Sequence, residues 1–129
     1  MAKTPEPLFE LEATIMEIVW RQFPTSARDV CDRLKGSKAR AYTTIMSTMD
    51  RLHSKGMLSR RKEGLAWIYT PTRSEAEFKK ALADRLADQI LAEHGEVGVM
   101  SFVEAACADE AMLRRLEQMV AAQKRRGGK

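Results

Sequence analysis

Residues 41–56, AYTTIMSTMDRLHSKG, constrain the fold of this chain more than any other stretch. Tyr42, Ile45, Met46, Met49 and Leu52 recur at i, i+3, i+4, i+7 and i+10, which predicts one apolar stripe of a helix facing a core. The opposite face carries Thr43, Thr44, Ser47, Thr48, Arg51 and Lys55. These side chains are short or cationic enough to enter a DNA groove and reach base edges and phosphates. Gly56 supplies a left-handed C-terminal stop. Taken alone, such a face is better explained by solvation, so its neighbours decide the reading.

Charge is the first neighbour. The formal net charge of +4 is unevenly spread. Residues 1–32 hold three Lys/Arg against six Asp/Glu, residues 33–62 hold nine against Asp50 alone, and residues 63–129 hold ten against eleven. The excess brackets the predicted helix on both sides, the footprint expected of a phosphate-binding surface rather than of general solubility.

The elements before it fit a helix-turn-helix. Leu8, Leu11, Ile15, Ile18 and Val19, widened by Phe9, Met16 and Trp20, predict a first helix ending near Gln22. Its acids Glu10, Glu12 and Glu17 read as helix-stabilising surface, not catalytic carboxylates. Pro24 breaks that helix, and Thr25 or Ser26 can cap a second one with Ala27, Val30, Cys31 and Leu34 on one face, stopping at Gly36. Residues 37–40, SKAR, form a polar turn that places Lys38 and Arg40 beside the third helix.

Two extended runs follow, MLSRRK at 57–62 and LAWIYT at 65–70, joined by Glu63 and Gly64 as a hairpin turn. Leu65, Trp67 and Tyr69 alternate with Ala66, Ile68 and Thr70, so one side can pack on the helices, and Pro71 ends the strand. Arg60, Arg61 and Lys62 can straddle a phosphate backbone, or else guard a solvated hairpin edge. Three helices and a hairpin make a winged helix. The predicted fold class is mostly α with a small β wing: a winged helix-turn-helix domain over 1–72, followed by a helical dimerisation domain over 73–129.

The C-terminal part is predicted helical. Ser74 precedes a helix over 75–93 with Phe78, Leu82, Leu86 and Ile90 in one row. Gly95 and Gly98 interrupt it, Val99, Met100, Phe102 and Val103 form a short apolar segment, and Asp109 caps a last helix bearing Met112, Leu113, Leu116, Met119 and Val120. The tail AAQKRRGGK reads as frayed. Helices so amphipathic need something to pack on, and a second copy of the chain is the economical answer, with Phe78, Leu82, Leu86, Ile90, Phe102, Leu113, Leu116 and Val120 as dimerisation residues. A dimer also matches two half-sites on DNA.

Between residues 8 and 71 the chain resembles the BlaI/MecI penicillinase and methicillin-resistance repressors of bacteria. The resemblance rests on LFELEATIMEIVW, AYTTIMSTMDRLHSKGMLSRRKEG and AWIYTP. It implies a homodimeric repressor on a palindromic double-stranded operator, with Thr43, Thr44, Ser47, Thr48 and Arg51 lining the major groove and the wing at adjacent phosphates. It also implies relief of repression by a sensor protease cutting before a phenylalanine, which places the bond between Ser101 and Phe102. The family pattern has asparagine where this chain has Ser101. Copper-responsive relatives carry a cysteine-rich tail, absent here, so no metal effector is expected.

Other functions are disfavoured. A winged helix that binds protein instead of DNA is the alternative, opposed by the local charge. His53 and His94 are isolated histidines with no nucleophile or metal set beside them, so neither an enzyme nor a cofactor is expected. Cys31 and Cys107 stand far apart and read as small buried apolar thiols. No run of about 18 apolar residues exists and MAKTPEP lacks a signal peptide's apolar segment, so a cytoplasmic protein without membrane insertion is expected.

Overall fold

The computed structural model describes residues 7–127, so most of the opening MAKTPEP and the last two residues of the tail lie outside it. The chain divides into two compact units, one up to Ala83 and one from Asp84.

The first unit follows the order α1 (Glu10–Arg21), β1 (Thr25–Ser26), α2 (Ala27–Arg33), a one-turn 3₁₀ helix (Gly36–Lys38), α3 (Tyr42–Ser54), β2 (Leu58–Glu63), β3 (Ala66–Pro71) and the start of α4 (Glu75–Ala106). The helices form where the apolar period predicts, except that α2 ends at Arg33, with Leu34 already extended, and Gly36 opens the 3₁₀ turn instead of stopping α2. Ser26 caps α2, its hydroxyl accepting from the Asp29 amide at 3.2 Å, and Gly56 closes α3 at φ 85°, a left-handed conformation costly for residues with a Cβ. The three strands are antiparallel in the order β1-β3-β2.

The apolar stripes meet in one core. Ile15, Met16 and Val19 of α1, Val30 of α2, and Ile45, Met49 and Leu52 of α3 are fully buried, joined by Leu58, Tyr69 and Phe78. Burying side chains of this size contributes about 1.5–3 kcal/mol each, which fixes α3 against α1 and the base of the hairpin. Trp20 ties the next segment down: its indole N–H donates to the Arg73 carbonyl at 3.0 Å, and its ring lies 5.6 Å from that of Phe78.

Several expectations are corrected. Glu12, read as helix surface, has no exposed area at all. Met46 is 44% exposed and leaves the core stripe. Leu65 is 98% exposed and belongs to the hairpin turn, which is Gly64 and Leu65 rather than Glu63 and Gly64: Glu63 ends β2, paired with Ala66. Phe78, expected at a dimer contact, is buried in the first unit's core, and Leu82 packs partly against that core. Both cysteines are half-buried rather than buried. The strand β1 was not anticipated; two residues carry no readable alternation.

The second unit contains the rest of α4 and α5 (Glu110–Gly127). A break at Gly95, φ 52° and ψ −133°, divides α4 into two arms. Gly98, expected to interrupt the helix as well, is helical. There a Cβ would stand 2.5 Å from Ile90 Cγ2 and 3.0 Å from His94 Cβ, so glycine lets the two arms approach. Asp109 caps α5, its Oδ1 accepting from the Ala111 amide at 2.9 Å. The helix continues through Lys124, Arg125 and Arg126, a basic last turn that complements its dipole, so the tail as far as Gly127 is ordered helix. Nothing on α5 is buried. Among the described residues no helix is long and apolar enough to cross a membrane.

Candidate nucleic-acid interface

The outer face of α3 presents Thr43, Thr44, Ser47 and Arg51 to solvent. Ser47 Oγ donates to the Thr43 carbonyl at 2.8 Å, which parks its proton on the helix and turns its lone pairs outward as acceptors. Thr48 does not share this face. It is 1% exposed, and its hydroxyl donates to the Thr44 carbonyl at 2.8 Å, because position 48 lies one helical turn from the buried Ile45 and Leu52.

The cations expected beside these groups occupy three distinct settings. Lys38 and Arg40 are exposed on the connector before α3, with Arg40 Nη1 donating back to the Ser37 and Ala39 carbonyls at 3.0 and 2.9 Å. Arg51 and Lys55 both reach the buried carboxylate of Glu12. Lys55 Nζ lies 2.9 Å from Oε1, and Arg51 Nε lies 3.3 Å from Oε2. The Arg51 contact is an ion pair without hydrogen-bond geometry, since Oε2 has no hydrogen-bond partner. Glu12 Oε1 also accepts from the Phe9 amide at 3.0 Å.

The third setting is the hairpin. Register puts Arg60 opposite Tyr69 and Lys62 opposite Trp67, so period-2 alternation gathers all four on one side of the sheet and sends Arg61 and Glu63 to the other. Trp67 seats two cations, Arg60 Cζ at 4.2 Å and Lys62 Nζ at 4.4 Å from the ring centroid. Arg60 Nη1 also donates to Asp50 Oδ1 at 2.8 Å, bracing the wing against α3. That hydrogen bond, followed by one to the Tyr69 hydroxyl, raises the guanidinium's pKa above its ordinary value. Arg61 pairs with Glu63 along its own strand.

Between α3 and the wing lies an open cleft of about 420 Å³, bounded by Arg28, Thr43, Ser47, Asp50, Arg60 and Trp67. Its walls mix polar and cationic groups with aromatic and aliphatic ones, Met46 and Leu65 among them. The guanidinium carbon of Arg28 lies over the Tyr42 ring, 4.0 Å from its centroid.

Sequence reasoning missed Glu12, Arg28, Asp50 and Trp67 as parts of this surface. Glu12 had a signal: it lies at i−3, i−4 and i−7 from Ile15, Met16 and Val19, so the buried stripe passes through it. Arg28 and Asp50 are joined to the surface by contacts with Tyr42 and Arg60 that no local pattern encodes, whereas the hairpin register already sets Trp67 opposite Lys62. His53 is half-buried and His94 exposed. Among the described residues no group of three or more His, Cys, Asp or Glu is placed to hold a metal ion.

Comparison with known proteins places this geometry in a family. The penicillinase repressor family model matches residues 8–122. The transcriptional regulator BlaI of Mycobacterium tuberculosis is 32% identical over 111 residues, covering 84% of this chain and 80% of its own. The penicillinase repressor of Bacillus licheniformis is 28% identical over 78 residues, 60% of each chain. In structure, the chain is similar to the DNA-binding domain of the repressor BlaI, with a TM-score of 0.52 and 28% identity over 60% of this chain and 93% of that one. The chain belongs to the penicillinase repressor family.

Proposed function

We propose that this protein is a transcriptional repressor that binds a palindromic duplex operator as a homodimer. The observation that carries the reading is the meeting, on one side of the first unit, of the hydroxyl face of α3 with the cation-bearing wing, Arg60 bridging them through Asp50. In this reading Thr43, Thr44, Ser47 and Arg51 enter the major groove. Hydroxyls there contact base edges and thymine methyl groups, while Lys38, Arg40, Arg61 and Lys62 hold phosphates on either side. The kinship with transcriptional regulators supports this assignment over an enzymatic one.

The second unit is the dimerisation element of this reading. Leu86, Phe102, Met112, Met119 and Val120 are each 40–58% exposed, more apolar surface than a helical segment of this size leaves to water without a partner. Ile90, Leu113 and Leu116 lie half-buried beside them. The bond between Ser101 and Phe102 lies in the second arm of α4, and both residues are exposed. A sensor protease cutting there would detach α5, remove apolar surface from the dimer and weaken the bivalent grip on DNA.

The test is fluorescence anisotropy of the full chain against a duplex from upstream of its own gene, with a scrambled duplex as competitor, at two salt concentrations. Binding that survives the competitor and weakens with salt supports the proposal. Absence of binding to any duplex at low salt overturns it in favour of a winged helix that recognises protein.

A further inference from the structure

The carboxylate of Glu12 is fully buried, and it belongs to α1, which supplies none of the proposed DNA contacts. An ionised carboxylate in a core is costly unless paired, and an apolar side chain of similar volume is often as stabilising at such a position. Stability alone therefore does not account for glutamate here. What the carboxylate does, and an apolar group would not, is hold two cations of α3 at fixed places.

The two cations are held differently. Lys55 is 22% exposed and sits 2.9 Å from Oε1, with Phe9 stacked 4.8 Å away, so it neutralises the carboxylate from within the fold. Arg51 is 53% exposed, with Nε 3.3 Å from Oε2 and Nη2 3.5 Å from the Thr48 hydroxyl. The inner edge of its guanidinium is thus tethered at two points while the outer edge faces solvent beside Ser47 and Thr44. With Lys55 already balancing Glu12, Arg51 can engage a second anion or a base edge without leaving the buried carboxylate unpaired.

We infer that Glu12 is a positioning residue for DNA recognition: it aims Arg51 outward from α3, and Lys55 serves as its structural counter-ion rather than as a DNA contact. The inference rests on the DNA-binding reading above. A guanidinium fixed before binding loses less freedom when it meets a base, which favours the one sequence that matches its placement. Loss of the tether should leave generic phosphate attraction intact, or raise it, since a negative charge is removed.

The experiment compares wild type, Glu12→Gln and Arg51→Ala as full-length proteins. Affinity for the operator and for a scrambled duplex is measured together with a thermal melt. Glu12→Gln is expected to lower the operator-to-scrambled affinity ratio by about 5-fold or more, while scrambled-DNA binding is kept or strengthened. In the Glu12→Gln/Arg51→Ala double variant the ratio should fall no further than with Arg51→Ala. An unchanged ratio in folded Glu12→Gln overturns the inference, as does a parallel loss on both duplexes, which marks a merely structural role. If Glu12→Gln does not fold, Glu12→Asp, which keeps the charge but withdraws it by one methylene, is read by the same criteria. Wild-type protein that fails to distinguish the two duplexes overturns the DNA reading itself, before any variant is compared.

Discussion

Replacing Lys55 by alanine removes the nearer cation from a fully buried carboxylate, and its cost can be worked from the structure. Breaking a buried ion pair by deleting one partner costs about 3–5 kcal/mol when the remaining charge is left uncompensated. Two features lower that figure here. Lys55 retains 22% exposure, so part of its charge is already screened by water, and Arg51 Nε remains 3.3 Å from the other carboxylate oxygen. The expected loss is about 1–2 kcal/mol, a lowering of the melting temperature by about 5–15 °C for a unit of this size. Arg51→Ala should cost less than about 1 kcal/mol, because its pair with Glu12 is half in solvent. Urea unfolding followed by tryptophan fluorescence, from Trp20 on Phe78 and Trp67 on the wing, both in the first unit, measures both variants. A Lys55→Ala protein within about 0.5 kcal/mol of wild type, or an Arg51→Ala protein less stable than Lys55→Ala, would refute the division of labour between the two cations.

Other consequences are testable alongside. The Glu77 carboxylate accepts from the Ser74 amide at 2.8 Å and the Glu77 amide donates to Ser74 Oγ at 3.1 Å, a capping box at the start of α4. The hydrogen bond from the Ser74 amide, followed by one from the Ser74 side chain to the carboxylate, holds the Glu77 pKa below its ordinary 4.5. Because the folded value is depressed, the stabilisation is present above that ordinary value and lost as pH falls through the folded one. Glu77→Gln should therefore lower the melting temperature at neutral pH, with a difference that closes in acid. Gly98→Ala places a methyl group 2.5 Å from Ile90 Cγ2 and 3.3 Å from the Ile90 carbonyl; calorimetry should show a destabilisation of about 1–3 kcal/mol, and none would mean the arms can part freely. Lys62→Ala should weaken operator and scrambled DNA alike and lower the slope of log affinity against log salt by about one, measured by anisotropy across a salt series.

Much of the first unit was legible because its helices are amphipathic with the ordinary period, and α3 kept its stripe, polar face and glycine stop except that Met46 left the stripe and Thr48 joined the core. The wing was legible from two extended runs either side of Gly64, though the turn falls one residue later than expected, at Gly64 and Leu65. What escaped depends on where elements end in space. Leu65 was expected to open the second strand, but it stands in the turn beside Gly64, where its side chain is left in solvent. Phe78 belongs to a row shared with Leu86 and Ile90, and only the tertiary position of Trp20 assigns it to the core of the first unit. Thr48 illustrates the limit of reading a helix by polarity, since a hydroxyl satisfied by the carbonyl one turn back can be buried at little cost. Glu12 is the reverse case, a charge admitted to the core because Lys55, 43 residues later, neutralises it.

The central claim, a dimer gripping a palindromic operator through α3 and its wing, is tested most directly by hydroxyl-radical footprinting of the full chain on DNA upstream of its own gene. The account predicts two protected patches related by dyad symmetry, centred about one helical turn, or a whole number of turns, apart. It also predicts that both are lost together when the apolar surface of α5 is disrupted, as in Leu116→Glu. A single asymmetric patch unaffected by that substitution, or uniform protection with no preferred position, would contradict it.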